Sequence, residues 1–238
     1  MDSDLRKQLE DLRTKSGPKE LSKKRIELLR RNLERAWDKV LSRHRSQASG
    51  QEVVEALTER VDTLVSLLHR EAVLDTGGDP PRGYVVLALG GYGRAALNPK
   101  SDVDLLFLSQ KVEKAHPVTR TILHALWDLR FEIGYSTRTI SDCLSAAKED
   151  PDSLTSLYEA RYLVGDRKLA KKLEDALTRQ FFGRRARTFV AQKVEERRQR
   201  HVRAGLSVQL LEPNVKESTG GLRETHAVGW LLKARGVV

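Results

Sequence analysis

The chain has 238 residues, of which 32% are charged, and its 43 basic and 33 acidic side chains give a formal net charge of +10. It contains no run of about 18 apolar residues, and its first ten residues are rich in charge, so we expect neither a membrane span nor a secretory signal. A single cysteine, Cys143, excludes an internal disulfide and fits a cytoplasmic protein. No Cys or His residues occur at the spacing of metal ligands, so any bound metal would need oxygen ligands.

The first third of the chain predicts two long amphipathic helices. Apolar residues recur at spacings of three and four over residues 18–44, and again on one face over residues 54–68. A polar break at residues 46–51 separates them, so we expect an antiparallel helical pair. A turn over residues 76–81 places a domain boundary there, which makes residues 1–75 an N-terminal helical segment.

The rest of the chain predicts a small mixed sheet over residues 76–150 and a helical part over residues 151–238. Short β-rich apolar runs favour strands, while caps and 3.6-residue periodicity favour helices. The strands are predicted over residues 84–89, 103–108 and 134–140. Helices are predicted over residues 117–130, 167–180 and 187–203. Two more helices are predicted, one from Asp152 or Ser153 to about Gly165 and one from Leu222 onward. This order predicts an α+β fold.

A glycine turn between the first two predicted strands is the first candidate for a site. It contains Gly90 and Gly91, followed by Arg94 and Ser101. Glycine allows a positive φ and a close approach of a ligand to the backbone, and backbone N–H groups in such loops bind phosphate oxygens. The Arg94 guanidinium and the Ser101 hydroxyl add contacts to phosphate. The turn is therefore predicted to bind a triphosphate.

Two carboxylates follow on the next predicted strand. Asp102 and Asp104 are one residue apart, and alternate residues of a strand share a face. Adjacent carboxylates repel each other unless a cation neutralises them, and Mg²⁺ suits such a pair because it takes carboxylate and phosphate oxygens. We therefore expect Asp102 and Asp104 to bind Mg²⁺ and to be the catalytic residues of a nucleoside triphosphate site.

The spacing of this motif resembles the signature of the DNA polymerase β-like nucleotidyltransferase superfamily: Gly90 and Gly91, ten further residues, then Asp102 and Asp104. Later segments, above all residues 211–226, are similar to the N-terminal nucleotidyltransferase domain of bacterial protein-PII uridylyltransferases. The resemblance covers roughly residues 84–238, with a weaker helical match before them. It implies transfer of UMP from UTP to a tyrosine of the PII nitrogen-regulatory protein, with release of pyrophosphate.

The chain also departs from this family. Full-length members continue into an HD-type hydrolase domain and two ACT domains, which have no counterpart in these 238 residues, so we expect neither uridylyl removal nor glutamine sensing from this stretch. The family often has Gly-Arg-Gly where this chain has Gly, Arg and Ala at residues 93–95. The third carboxylate of the superfamily is missing from the third predicted strand, and Glu132, just before it, is the nearest candidate.

Three more basic residues are candidates for nucleotide binding. Arg138, on the third predicted strand, is expected to face the two aspartates and either hold phosphate or pair with a carboxylate. Lys216 and Arg223 flank a Gly-Gly turn at the start of the last predicted helix, where an anion is favoured. They contact either nucleotide phosphates or the PII protein, or are ordinary surface residues.

Two other functions compete with the enzyme. A nucleotidyltransferase-like domain that is truncated or inactive would serve as a regulatory nucleotide-binding module, which the missing third carboxylate favours. Residues 179–203 carry nine basic and two acidic side chains, a pattern also compatible with RNA binding. Few aromatic residues are available there to stack on bases, so nucleic acid is the least favoured partner.

Overall fold

A computed structural model describes residues 2–79, 81–110, 117–181, 186–203, 212 and 214–235. The chain packs as two compact units, the first comprising Met1–Thr139 and Glu159–Ala170 and the second Ile140–Tyr158 and Lys171–Val238. The three-part division at residues 75 and 150 stays a prediction. None of the helices within the described ranges is long and apolar enough to cross a membrane.

Three helices precede the sheet: α1 (Asp2–Lys15), α2 (Pro18–Arg45) and α3 (Gly50–Asp75). The two predicted long helices are confirmed as α2 and α3. Ser49 caps α3, because its hydroxyl accepts a hydrogen bond from the Glu52 N–H and its own N–H donates to the Glu52 carboxylate at 2.7 Å. Arg25 of α2 is buried and donates to Asp75 at 2.6 and 3.1 Å, which ties α2 to the end of α3.

The four strands are β1 (Tyr84–Ala88), β2 (Val103–Ser109), β3 (Ile133–Arg138) and β4 (Arg161–Gly165). They form one sheet in the order β3-β2-β1-β4, in which β1 is antiparallel to β2 and β4, and β2 is parallel to β3. This mixed sheet among helices confirms the α+β fold. Every residue of the central strand β1 is buried, which explains its uninterrupted apolar sequence.

One face of the sheet carries the core of the first unit. Val103, Leu105 and Phe107 of β2 are at most 1% exposed and join residues of α3 and α5 (Pro117–Asp128) in one hydrophobic cluster. Because successive side chains of a strand alternate, Asp104 lies on the opposite face. Val103, Leu105 and Phe107 therefore anchor the strand in the core, and Asp104 belongs to the other face of the sheet.

The second unit is helical. It contains α6 (Ile140–Glu149), α7 (Pro151–Tyr158), α9 (Ala186–Arg203), α10 (Leu222–Ala234) and most of α8 (Arg167–Phe181). Lys193 of α9 is only 3% exposed and donates to Asp152 at 3.3 Å and to Glu196 at 2.6 Å. Its ammonium also lies 5.1 Å from the ring centre of Trp230. This buried lysine links α7, α9 and α10.

The helix predicted from Asp152 or Ser153 to about Gly165 is wrong in its second half. The helix α7 ends at Tyr158, and the following residues form β4, which pairs with β1. Strand pairing in the buried sheet overrides the local helical pattern. The cap is Asp150, two residues before the predicted Asp152, because the Asp150 carboxylate accepts hydrogen bonds from the N–H groups of Asp152 and Ser153 at 3.1 and 2.8 Å.

Candidate active site

The glycine turn forms α4 (Gly90–Gly93), a single helical turn after β1. Gly90 starts it with a φ of 55°, a left-handed conformation that favours glycine. The turn is closed by the Gly93 N–H, which donates to the Leu89 carbonyl at 2.7 Å, and by the Arg94 N–H, which donates to the Gly90 carbonyl at 3.1 Å. The N–H groups that begin a helical turn have no acceptor within it, so they are available to an anion.

Asp104 lies between two glycines. A Cβ placed on Gly134 would come within 2.1 Å of the Asp104 Oδ1, and one placed on Gly90 within 3.2 Å of its Oδ2. The Leu89 N–H donates to the Asp104 carbonyl at 2.9 Å, which joins the end of β1 to β2. The structure thus brings the Asp104 carboxylate to the glycine turn, in a space that a Cβ at Gly134 would fill and a Cβ at Gly90 would crowd slightly.

Ser101 and Asp102 are exposed and directly precede β2. The Val103 N–H donates to the Glu132 carbonyl at 2.9 Å, so the starts of β2 and β3 are held together. Because Val103 pairs with Ile133, Asp102 and Glu132 occupy equivalent positions before two neighbouring parallel strands. Across the described ranges, however, no group of three Asp, Glu, His or Cys side chains is placed to hold a metal ion, so Glu132 is not identified as a third ligand.

Arg94, predicted to bind phosphate, makes an ion pair inside the first unit. Its Nη1 lies 2.5 Å from Oε2 of Glu159, whose side chain is 7% exposed. A Cβ placed on Gly93 would come within 2.5 Å of the Glu159 carbonyl oxygen, so the glycine turn packs directly on the backbone of Glu159. In this structure the guanidinium fixes α4 in place, and its contact with phosphate stays a prediction.

Arg161, the first residue of β4, also holds the glycine turn. Its Nη1 and Nη2 donate to the carboxylate of Asp62 on α3 at 2.7 and 3.0 Å. The same guanidinium donates to the carbonyls of Tyr92 at 3.1 Å and Gly93 at 3.3 Å. Burial raises the pKa of the Tyr92 phenol, and the nearby Asp62 carboxylate raises it further. We call Arg161 and Asp62 the turn clamp; no local sequence signal reveals it, because its two members are 99 residues apart.

Arg138 is not brought next to the aspartates along the sheet. It pairs in register with Leu108, four residues beyond Asp104 on β2. At the usual rise of a strand that offset is about 13 Å. The even offset does place Arg138 on the same face of the sheet as Asp104, so a longer ligand could span them. Its role in nucleotide binding stays a prediction.

Lys216 and Arg223 belong to the second unit. The Lys216 N–H donates to the Asn214 side-chain oxygen at 3.0 Å, so its backbone is part of a tight turn before α10. The Arg223 Nε donates to the Glu217 carboxylate at 3.3 Å. The helix α10 starts at Leu222, as predicted, and its start lacks a side-chain cap. The predicted phosphate contacts of Lys216 and Arg223 are not tested by these interactions.

Basic side chains of α9 are largely paired with acidic neighbours. Arg198 donates to Glu195 through two hydrogen bonds of 2.9 Å, and these bonds lower the pKa of Glu195 to about 2. Arg200 pairs with Glu196 at 3.2 Å, and Arg197 of the same helix also has a carboxylate partner. This internal pairing leaves less positive charge for the phosphates of a nucleic acid.

The mixed sheet, the glycine turn and the carboxylate of β2 together have the layout expected of a nucleotidyltransferase domain. Comparison with known proteins narrows this class to a family. Residues 188–238 match the family described as GlnD PII-uridylyltransferase.

Three curated relatives are named bifunctional uridylyltransferase/uridylyl-removing enzyme. The protein of Phenylobacterium zucineum is 38% identical over 237 residues, which are 96% of this chain and 25% of the relative. That of Caulobacter vibrioides is 38% identical over 214 residues, 87% of this chain and 23% of the relative. That of Cereibacter sphaeroides is 47% identical over 150 residues, 62% of this chain and 16% of the relative. The chain belongs to this family and spans about a quarter of the length of the first of these relatives.

Proposed function

We propose that this chain transfers UMP from UTP to a tyrosine hydroxyl of the PII nitrogen-regulatory protein in the cytoplasm, with release of pyrophosphate. The observation that carries the proposal is the Asp104 carboxylate held at the glycine turn between Gly90 and Gly134. The names of the relatives support uridylyl as the group that is transferred, and the name of the matching family supports PII as the acceptor.

The residues at the turn suit Mg²⁺. This ion binds proteins through one or two carboxylates and completes its shell with water and substrate phosphates, so a third carboxylate is not required. The Asp104 carboxylate lies in a cradle that a Cβ at Gly134 would fill, and Asp102 precedes it by two residues. The two aspartates would hold Mg²⁺, which supplies charge neutralisation of the triphosphate and a lower pKa for the attacking hydroxyl.

The other groups of the site position the triphosphate. The backbone N–H groups at Gly90 and Gly91 and the Ser101 hydroxyl donate to its oxygens, while the turn clamp keeps α4 in place. The acceptor oxygen forms a bond to the α-phosphorus as the bond from that phosphorus to pyrophosphate breaks, and the hydroxyl proton leaves to water. Because charge in the transition state is spread over phosphate oxygens, positioning and electrostatic stabilisation supply most of the rate.

A transfer assay tests the proposal. The chain is incubated with PII, Mg²⁺ and each labelled nucleoside triphosphate in turn, and label on PII is measured. Asp104→Asn keeps the size of the side chain but removes its charge, and should lower the rate by about 10³-fold. Asp38→Asn, the same change at an exposed position of α2, is the matched control and should transfer UMP at the wild-type rate.

The outcomes separate the proposal from its rivals. Label from UTP alone, lost in Asp104→Asn and kept in Asp38→Asn, supports it. Label from ATP alone would overturn the uridylyl assignment. Equal background rates in all three proteins, with UTP still bound, would instead identify a regulatory nucleotide-binding module.

A further inference from the structure

The side chain of Arg94 lies between a buried carboxylate and the glycine turn. Its Nη1 donates to Oε2 of Glu159 at 2.5 Å. Its Nη2 lies beside Gly91, because a Cβ placed on that glycine would be 3.8 Å from it. In the part of the chain that the structure describes, Nη2 and Nε of Arg94 have no hydrogen-bond partner. One nitrogen of the guanidinium is therefore held, while N–H groups without an acceptor remain at the turn that is predicted to bind phosphate.

The two partners of this ion pair differ in their access to solvent. The side chain of Arg94 is 28% exposed, so a ligand at the turn can reach it, whereas that of Glu159 is only 7% exposed. Arginine carries five N–H donors in a rigid plane, so it can donate to a carboxylate and to a phosphate oxygen at the same time. Glu159 can therefore orient Arg94 while Arg94 contacts the ligand.

Other contacts also fix the backbone of Glu159 against the glycine turn. Arg161 pairs in register with Ala88 of β1, so the chain two residues after Glu159 is part of the sheet. A Cβ placed on Gly93 would come within 2.5 Å of the Glu159 carbonyl oxygen, which shows direct backbone packing. The Arg161 guanidinium adds hydrogen bonds to two carbonyls of the turn. Because these contacts remain without the ion pair, the main effect of losing the Glu159 carboxylate should be a less restricted Arg94 side chain.

Charge and orientation predict opposite effects of Glu159 on phosphate binding. A carboxylate near the triphosphate repels it, so removing the charge of Glu159 should strengthen phosphate binding if charge alone matters. Orientation acts the other way, because an arginine that is already held in its binding position loses less conformational entropy when the ligand arrives. The sign of the change in phosphate affinity therefore distinguishes a positioning residue from a neighbouring charge.

We propose that Glu159 is a positioning residue of the nucleotide site: it holds Nη1 of Arg94, so that Nη2 donates to an oxygen of the triphosphate beside Gly91. The inference rests on the proposed function, because it assigns roles within the site of the same reaction. Neither residue makes or breaks a bond. Arg94 stabilises the bound triphosphate, and Glu159 acts through Arg94.

The test measures calorimetric Kd values for inorganic tripolyphosphate and for UTP, each with Mg²⁺. Glu159→Gln keeps the size of the side chain and removes its charge, Arg94→Gln removes the phosphate contact, and a third variant combines the two. Glu20→Gln is the matched control, because it makes the same change in an exposed ion pair with Lys24 on α2. Circular dichroism and a thermal melt establish that each variant is folded.

We expect Arg94→Gln to raise both Kd values by about tenfold, since it removes a charge-assisted hydrogen bond. Glu159→Gln should raise them by about fivefold when Arg94 is present and leave them unchanged in the Arg94→Gln background. The control Glu20→Gln should bind both ligands as the wild type does, because an exposed ion pair of α2 has no part in the site.

An unchanged or lower Kd in folded Glu159→Gln overturns the inference, because the carboxylate would then have no orienting effect. Equal weakening with and without Arg94→Gln also overturns it, since Glu159 would then act through the fold of the turn and not through Arg94. A wild-type chain that binds tripolyphosphate in the expected, Arg94-dependent way but transfers no UMP to PII contradicts the proposed function alone.

If Glu159→Gln does not fold, Arg94→Lys decides. An ammonium group keeps the charge but lacks the planar fork that reaches two acceptors at once. A Kd for tripolyphosphate raised by about tenfold in this variant supports the inference, and a wild-type Kd overturns it.

Discussion

Gly134→Ala is the sharpest test of how the fold serves the candidate site. The three atoms nearest to a Cβ placed on Gly134 all belong to Asp104, and the nearest of them, Oδ1, would be 2.1 Å away. Ordinary van der Waals contact begins at 3.4 Å, so the carboxylate oxygen has to move by about 1.3 Å. A displacement of about 1 Å at a reacting centre costs roughly 10²-fold in rate, and we expect a loss of that size in kcat for UMP transfer.

The same substitution should not harm the fold. Alanine is better suited than glycine to a strand by about 0.5–1 kcal/mol, and Asp104 is partly exposed, so its side chain can turn away. We therefore expect the melting temperature of Gly134→Ala to stay at or slightly above the wild-type value, while calorimetric binding of UTP with Mg²⁺ weakens.

Gly229→Ala in α10 is the control, because a Cβ there meets nothing within 4 Å; it should leave transfer unchanged. Wild-type kcat and wild-type nucleotide affinity in Gly134→Ala would refute the reasoning, since the position of the Asp104 carboxylate would then be irrelevant to the reaction. Loss of the folded state would refute the second part, because the added methyl group would then be meeting more than one movable carboxylate.

Three further predictions concern stability. Alanine substitutions of Arg161 and Asp62, singly and together, should show a coupling free energy of about 1 kcal/mol in urea unfolding, and additive effects would contradict the turn clamp. Ala95 has a φ of 58°, and replacing it by glycine relieves about 1–2 kcal/mol of left-handed backbone strain. The greater conformational entropy of the unfolded chain takes back about 0.4–1 kcal/mol. Ala95→Gly should therefore stabilise the fold by about 0.5 kcal/mol, and a lower free energy of unfolding would contradict this. Burial raises the pKa of Asp75, but hydrogen bonds and charge from Arg25 outweigh burial and hold that pKa below its ordinary value of 3.8. Asp75 therefore stabilises the fold above that value and loses its contribution as the pH falls through the lower, folded-state pKa, so the destabilisation caused by Asp75→Asn at pH 7 should shrink below about pH 4 in urea titrations; a constant difference would contradict it.

Local patterns predict much of the fold because several elements bury a regular apolar stripe or run. The helix α2 and the strands β1 and β2 lie within a residue of their predicted bounds, whereas α3 contains the predicted apolar stripe but is longer at both ends. In contrast α1, of which Leu5 and Leu9 are buried, is not apparent from a segment that is otherwise charged. The strand β4 and the helix α6 were also not predicted, since β4 depends on pairing with β1, a partner far away in the sequence.

The amino-acid sequence by itself determined the candidate motif, because the glycines and the two aspartates lie in one short stretch whose spacing depends only on a strand, a turn and a strand. Only the tertiary structure decided what surrounds that motif: Gly134 makes room for the Asp104 carboxylate, and Glu159 and Arg161 hold the glycine turn. These contacts join residues that are tens of positions apart, up to 99 for Asp62 and Arg161. Such pairs are brought together by the packing of the sheet and α3, and no local pattern of residues specifies them.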